Sequence, residues 1–260
     1  MKTQNQNYTM NSAEPFYFAK GRIGALLVHG FTGTPKEMLP LGEYLAQKNL
    51  SVLGIRLAGH ATQMEDIRRV HWLDWMANIE DGLVMLRNIT DHQFIIGLSM
   101  GGILSLIASA HYKVDGAIIL SAPYSTDNDW RKKLLPVIKY FVPDVQKGPS
   151  DWHNKEAERE HVSYPVYPTV AVQQYLAAQD YMQTILPKVN VPTLLIYSKL
   201  DMTANPASLD KIYDQLGTQT KEKVWLENSG HIITREPEND LVFRSSYEFI
   251  KNQSRSITDK

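Results

Sequence analysis

A serine between two glycines is the first group in this sequence that could do chemistry. The segment Gly97–Gly101 has the pattern Gly-x-Ser-x-Gly, and it follows the apolar run Gln93–Leu98 and precedes a helical pattern. The two glycines allow a sharp strand-to-helix turn on which a serine hydroxyl stands clear of a sheet. A plain glycine-rich turn accounts for this short pattern as readily as a nucleophile does. Ser99 is therefore a candidate nucleophile that needs a base and an oxyanion site.

A second glycine-rich segment offers the oxyanion site. His29–Gly33 follows the apolar run that begins at Gly24, in the position where such folds supply one N–H to a developing oxyanion. We predict that the amide of Phe31 is this donor and that the amide of Met100, directly after the serine, is the other.

Three residues are expected to support this region rather than to act on a substrate. His29 and Gly30 belong to the predicted oxyanion loop. We expect His29 to brace this loop by hydrogen bonds and not to be the general base, because in this type of fold the base follows the nucleophile and the acid along the chain. His60 follows another predicted strand and is expected to help pack the site.

The acid and the base follow later strands in the required order. Asp201 comes three residues after a strand that ends near Ser198, and His231 closes a Ser-Gly-His segment beyond the strand that ends at Leu226. The order Ser, Asp, His predicts that His231 takes the proton of Ser99 while Asp201 fixes its tautomer.

Asp127 and Asp129 are rival acids because they follow the preceding strand. They also open a helical segment that starts at Trp130, so capping that helix is the favoured interpretation of both.

Strands and helices alternate along most of the chain, which predicts a doubly wound, mainly parallel sheet. After the first strand, Thr34 as N-cap, Pro35 and Glu37 predict the start of a helix. The predicted strands occupy residues 24–29, 51–55, 93–98, 117–120, 193–197 and 223–226. Helices are predicted over 72–86, from near Met100, and around 208–216 and 240–252.

One long stretch has helical patterns but no convincing strand. We predict that residues 124–187 form a helical cap inserted into a core domain of residues 1–123 and 188–260. Its apolar stripes would pack mostly on the core. Because a cap at the carboxyl ends of the strands would roof the site, Trp130, Ile138 and Tyr175 are predicted to contact substrate.

Composition excludes several classes of function. With 260 residues, a formal net charge of −1 and no long basic run, the chain lacks the charge pattern of a nucleic-acid-binding protein. The absence of cysteine excludes disulfides, thiolate metal sites and a cysteine nucleophile. No two of the histidines outside the predicted site have metal-ligand spacing, so no metal site is expected. A polar start without an apolar signal segment, and no run long enough to span or anchor in a membrane, predict a cytoplasmic protein. Nothing in the composition indicates an oligomeric state.

These motifs together resemble one known family. His-Gly-Phe-Thr-Gly-Thr-Pro from residue 29, Gly59–His60, Asp74–Trp75, Gly-Leu-Ser-Met-Gly-Gly from residue 97 and Ser-Gly-His from residue 229 are similar to the bacterial carboxylesterase and monoacylglycerol lipase group of α/β hydrolases. The likeness extends from about Ile23 to Ile250 outside the cap. It implies an α/β-hydrolase fold and hydrolysis of carboxylic esters through an acyl-enzyme, without a metal or organic cofactor. It also implies the triad and oxyanion amides named above.

The substrate stays open among several alternatives. A carboxylesterase for esters of short to medium acyl chains is the leading hypothesis, and a monoacylglycerol lipase is its nearest rival because both use the same triad. A thioesterase, a lactonase or a carbon–carbon bond hydrolase is compatible with the same residues. A ligand-binding protein without turnover is the alternative from another class.

Overall fold

The computed structural model describes residues 8–125 and 131–258 of the chain. The strands are β1 (Phe16–Phe18), β2 (Ile23–Val28), β3 (Ser51–Ile55), β4 (His92–Leu98), β5 (Gly116–Leu120), β6 (Asp144–Gln146), β7 (Val166–Pro168), β8 (Thr193–Ser198) and β9 (Lys221–Leu226). The helices are α1 (Leu39–Gln47), α2 (Met64–Ile67), α3 (Trp72–Arg87), α4 (Met100–His111), α5 (Arg131–Ile138), α6 (Lys155–Arg159), α7 (Thr169–Ile185), α8 (Ser208–Gln215) and α9 (Asn239–Thr258).

Seven of these strands form one sheet in the order β1-β3-β2-β4-β5-β8-β9. β1 runs antiparallel to β3, and every other pair in this sheet is parallel. The chain order reverses between β2 and β4, and the crevice at such a switch point is where α/β sheets bind ligands. The loops that follow these two strands carry the predicted oxyanion segment and Ser99. The predicted doubly wound sheet of an α/β-hydrolase fold is confirmed.

The sheet is covered on both faces, which explains why its central strands are apolar throughout. In β4, Ile95 packs into a cluster with Trp75 of α3, while Phe94 and Ile96 pack into a second cluster with Leu41 of α1. This double coverage fixes the strand ends that position the site.

The stretch 124–187 is partly as predicted and partly different. It contains α5, α6 and α7, but it also contains β6 and β7, a short antiparallel pair that the sequence analysis did not predict. Met182 and Ile185, at the end of α7, belong to the main apolar cluster. The division of the chain into a core and a cap stays a prediction.

The predicted start of the first helix is wrong. Pro35–Glu37 form a separate 3-10 turn, α1 begins only at Leu39, and the Thr34 side chain makes no capping bond. The Glu37 carboxylate instead accepts the N–H of Gly30 at 2.9 Å. The local capping pattern is overridden by a contact with the loop that precedes it.

Within the described ranges, every helix is too short or too polar to cross a membrane.

Candidate active site

Ser99 occupies a strained turn between β4 and α4. Its backbone has φ 56° and ψ −117°, a conformation that costs a non-glycine residue about 1–3 kcal/mol. A Cβ on Gly97 would lie 2.0 Å from the carbonyl oxygen of Gly101, and one on Gly101 would lie 2.2 Å from that of Val28. The flanking glycines therefore let the turn close, as the sequence pattern predicts. The Ser99 N–H donates to the carbonyl of Leu120 at 2.8 Å, which ties the turn to β5.

His231 and Asp201 form a buried pair on two neighbouring loops. Asp201 follows β8, His231 follows β9, and His231 Nδ1 lies 2.8 Å from Asp201 Oδ2. The other carboxylate oxygen, Oδ1, accepts the N–H groups of Thr203 at 2.8 Å and of Ala204 at 2.7 Å. Asp201 is therefore held on both sides, and one side is directed at the imidazole.

The charge of Asp201 governs the ionisation of His231. Burial lowers the pKa of His231, but the attraction and hydrogen bond of Asp201, with smaller contributions from Asp151 and Glu37, outweigh it and raise this pKa above 6.5. The carboxylate thus stabilises the protonated imidazole.

Gly30 connects Ser99 with the loop of His231. A Cβ on Gly30 would lie 3.5 Å from Ser99 Cβ and 3.2 Å from Glu37 Oε2. Glu37 in turn contacts the loop of His231, because the Thr234 hydroxyl donates to the Glu37 carbonyl at 2.6 Å. Among the described residues, no hydrogen bond joins the Ser99 hydroxyl to His231. Such catalytic bonds often tighten only when substrate is bound.

The loop after β2 is fixed by His29. Its Nδ1 lies 2.9 Å from the Gly30 carbonyl, which can only accept, so Nδ1 carries the proton. Its Nε2 accepts the N–H of Leu57 at 3.2 Å. Burial, the largest cause, lowers the pKa of His29 to about 4, so the ring stays neutral near pH 7. These contacts support the prediction that His29 braces the loop and is not the base.

Two backbone amides are available beside Ser99. Met100 is the first residue of α4, where an N–H has no partner within its helix. In the described part of the chain, the Phe31 N–H donates to no acceptor. Their roles as oxyanion donors stay a prediction.

An aromatic cluster surrounds the side chain of Phe31. Its ring stacks on Tyr167 at 5.5 Å and on Tyr175 at 5.3 Å between centroids. Trp75 and His60 meet it edge-on at 6.2 and 6.3 Å. The structure therefore brings Tyr175 and His60 to the oxyanion loop. The contacts of the Phe31 side chain are therefore largely apolar.

Among the described residues, the predicted substrate contact Ile138 is not a member of this cluster. The described contacts of Ile138 are those of its backbone carbonyl, which accepts from Phe141 and Val142 within the same segment. Trp130, Asp127 and Asp129 lie outside the described residues.

Two carboxylates that the sequence does not indicate, Asp151 and Glu236, support the loops of Asp201 and His231. Asp151 Oδ2 accepts the N–H of Met202 at 3.0 Å, beside Asp201. Glu236, which is buried, accepts the N–H of Gly230 at 3.0 Å and of His153 at 3.1 Å. These contacts connect positions far apart in the chain, and only the short spacing between His231 and Glu236 is visible in the sequence.

Glu37 was assigned to a helix cap and not to the site. Burial raises its pKa to about 7, although the Gly30 N–H and the nearby positive charges oppose this shift. An acidic residue four positions after the glycine-rich loop was the signal that could have indicated this position.

Among the described residues, no three His, Asp or Glu side chains are grouped as metal ligands would be.

Comparisons with known proteins identify the family and agree with the fold. A family model described as serine aminopeptidase, S33, matches residues 22–238. The chain is 32% identical over 248 residues to a thermostable monoacylglycerol lipase of Bacillus sp. (strain H-257), a match that covers 92% of this chain and 95% of that protein. It is 27% identical over 241 residues to a carboxylesterase of Bacillus subtilis (strain 168), covering 92% of this chain and 96% of that protein.

A solved structure from work on the metagenome-derived lipolytic enzymes LipS and LipT has a TM-score of 0.88 and 30% identity. This match covers 94% of our chain and 99% of that one.

Proposed function

Because this chain belongs to the serine aminopeptidase S33 family of α/β hydrolases, we propose that it cleaves carboxylic esters of short to medium acyl chains through an acyl-enzyme. It is a hydrolase of the esterase and monoacylglycerol lipase type, to which its curated relatives belong by name. The residues, the mechanism and the chain length are the proposed part.

The observation that carries the mechanism is the buried hydrogen bond between His231 Nδ1 and Asp201 Oδ2 at 2.8 Å. Nδ1 faces the carboxylate and so holds the proton, which leaves Nε2 as the acceptor for the Ser99 proton. Ser99 directly follows β4, which β5 separates from β8 in the sheet, and it lies in a strained turn of the kind that presents a nucleophile.

In the first half of the reaction, Ser99 Oγ attacks the ester carbonyl carbon while His231 Nε2 takes its proton. The N–H groups of Phe31 and Met100 donate to the oxyanion of the tetrahedral intermediate. The intermediate collapses, the bond to the alcohol oxygen breaks, and the imidazolium protonates the departing alcohol. An ester of Ser99 remains.

In the second half, His231 takes a proton from water, which attacks this ester. The second tetrahedral intermediate collapses to the carboxylic acid and free Ser99, and His231 returns the proton to the serine oxygen.

The surroundings of Phe31 support an apolar acyl chain. Tyr167 and Tyr175 stack on its ring and Trp75 meets it edge-on, so this aromatic cluster on the proposed oxyanion loop favours hydrocarbon over a charged or sugar-like group. Tyr175 and Tyr167 come from residues 124–187, which we propose to act as the cap over the site.

A rate measurement tests the proposal. We expect p-nitrophenyl butyrate to be hydrolysed by the wild type and not by Ser99→Ala. Circular dichroism spectra should first show that both proteins are folded. Equal rates for the two would refute the Ser99 mechanism, and no turnover by the wild type of any ester tested would favour the ligand-binding alternative. A thioester and a lactone in the same panel test the remaining hydrolase alternatives.

Monoacylglycerol lipase is the second candidate, and the 32% identity to a protein of that name favours it. The two candidates differ in the alcohol that must leave. We would compare kcat/KM for 1-monoacylglycerols with that for methyl esters of the same acyl chains. A preference for the glycerol ester at each chain length would identify the lipase, and equal values would identify the carboxylesterase.

A further inference from the structure

We propose that Glu37 is a positioning residue for the oxyanion site: its buried carboxylate holds the Gly30 N–H and thereby helps to fix the direction of the Phe31 N–H. The proposal rests on the proposed function, since it concerns the amide assigned there to the oxyanion.

The hydrogen bonds around Gly30 carry this inference. Glu37 Oε2 accepts the Gly30 N–H at 2.9 Å. On the other side of the same residue, the Gly30 carbonyl accepts from His29 Nδ1 at 2.9 Å and from the Gly33 N–H at 3.2 Å. Both peptide units that meet at the Gly30 Cα are therefore held by buried groups.

The direction of the Phe31 N–H follows from this arrangement. The Gly30 carbonyl and the Phe31 N–H belong to one peptide, and the described residues contain no cis peptide bond. In a trans peptide the carbonyl and the N–H point in opposite directions. Holding the carbonyl toward His29 and Gly33 therefore points the Phe31 N–H away from them, and Glu37 prevents rotation of the peptide on the other side of Gly30.

The glycines of the loop make room for the carboxylate. A Cβ on Gly33 would lie 2.0 Å from Glu37 Oε1, and a Cβ on Gly30 would lie between Glu37 Oε2 and Ser99 Cβ. The Glu37 side chain thus lies directly beneath the turn, 3% exposed as a residue, with Gly30 between it and the nucleophile.

Charged and titratable groups face Glu37 from every segment packed against it. They are Lys147, His161 and Tyr167 from residues 124–187, and His231 and Arg235 from the loop after β9. His161 Nε2 is 3.8 Å from Glu37 Oε1, but burial, followed by the nearby cations, lowers the pKa of His161 to about 4, so this contact is not an ion pair near pH 7. Lys147, His231 and Arg235 favour the charged form of Glu37.

The charge of Glu37 also affects the pKa of His231. Glu37 contributes to the raised pKa of His231, so removing the charge lowers the pH at which His231 loses its proton. A residue that only fills space would not move this ionisation. The pH profile therefore separates the proposed role from a purely structural one.

The first measurement observes the Gly30 amide directly. His29–Gly30 is the one His-Gly dipeptide in the sequence, so labelling histidine with ¹³C at the carbonyl and glycine with ¹⁵N leaves one signal in a carbonyl-edited amide spectrum. We expect this signal to titrate in the wild type with a midpoint near the Glu37 pKa of about 7. In Glu37→Gln we expect that titration to vanish, and in Glu37→Ala we expect the proton signal to move upfield because the acceptor is lost.

The second measurement is the kinetics of the same variants on p-nitrophenyl butyrate. Loss of an oxyanion donor costs on the order of 10²–10³ in kcat, and loss of one of its supports should cost less. We expect Glu37→Ala to lower kcat about tenfold to a hundredfold with KM nearly unchanged, because the oxyanion exists only in the transition state. Glu37→Gln keeps an acceptor oxygen, so it should recover most of this loss while shifting the acid limb of kcat/KM to lower pH. Glu43→Gln, an exposed carboxyl on α1, is the matched control.

The outcomes distinguish this inference from the proposed function. Wild-type activity that depends on Ser99, together with unchanged kcat and pH profile in both Glu37 variants, would overturn the positioning role alone. An unchanged Gly30 signal in Glu37→Ala would also overturn it. Absence of Ser99-dependent hydrolysis in the wild type would overturn the proposed function and the positioning role with it.

Discussion

Replacing Asp201 by Asn changes one atom of a buried carboxyl group, and the surrounding contacts decide which amide atom faces His231. Oδ1 accepts the N–H groups of Thr203 and Ala204 at 2.8 and 2.7 Å. If the amide nitrogen took that place, the N–H groups of the exposed Thr203 and of the buried Ala204 would lose their acceptor, and the buried one alone would cost about 1–3 kcal/mol. The asparagine oxygen should therefore stay with these amides and direct its NH₂ at His231.

This orientation predicts a large loss of activity. An NH₂ group facing Nδ1 makes that nitrogen an acceptor, so the imidazole proton moves to Nε2, where it blocks the transfer from Ser99. A wrong tautomer of this kind costs about 10⁴ in kcat, or about 5.5 kcal/mol. The middle of the range for the buried N–H, about 2 kcal/mol, would leave only about one molecule in thirty with the productive tautomer.

The assay is kcat at saturating p-nitrophenyl butyrate for the wild type and Asp201→Asn. Asp210→Asn is a matched control because Asp210 is exposed and bonded to Lys223 on the surface, and it should retain wild-type kcat. Asp127→Asn, which removes the rival acid, should cost little. An Asp201→Asn variant with more than about a tenth of wild-type kcat would refute the assignment, as would a large loss in Asp127→Asn.

Four further outcomes are expected. The acid limb of kcat/KM should lie above pH 6.5, because the pKa of His231 is raised and activity requires its neutral form; a limb at or below 6.5 would contradict this. Because this pKa is raised on folding, the His231–Asp201 pair should stabilise the folded state fully below the pKa of histidine in the unfolded chain. That contribution should be lost as pH rises through the pKa of His231 in the folded state. Urea denaturation of the wild type and His231→Ala at several pH values would measure it. Ser99→Ala and His231→Ala should each remove nearly all activity and the double variant little more, whereas additive losses would exclude a shared mechanism. Across p-nitrophenyl esters from acetate to palmitate, kcat/KM should rise about threefold to fourfold per methylene until the pocket is full and then fall, and a flat profile would exclude an apolar acyl site.

The sequence predicts those parts of the site whose signals are local. Ser99 follows an apolar run and is flanked by glycines, so the strand, the turn and the helix are visible in one short segment. The loops that contain Asp201 and His231 follow β8 and β9 in the same way. Because parallel strands end at one edge of the sheet, the chain order alone predicts that these loops meet.

The parts that were not predicted depend on contacts between distant segments. Glu37 has the spacing of a capping residue, and only its burial against Gly30 assigns it elsewhere. β6 and β7 contain three residues each and pair across a gap of about twenty, so neither has the alternation that identifies a strand. The hydrogen bond from His153 to Glu236 joins positions 83 residues apart, and no periodicity indicates it.

The contacts of residues 124–187 determine how their influence on specificity must be tested. Tyr167 stacks on Phe31, the Asp151 carboxylate accepts the Met202 N–H, and a Cβ on Gly230 would lie 2.2 Å from the Asp151 carbonyl oxygen. Replacing residues 124–187 by a linker would therefore remove supports from the loops of Phe31, Asp201 and His231 together. It would also expose the core surface that Met182 and Ile185 of α7 cover. A loss of activity in such a variant would follow from the collapse of the loops whatever the acyl site is. Single changes at Tyr175, which contacts Phe31 without bonding to the catalytic loops, separate the shape of the acyl site from the support of the triad.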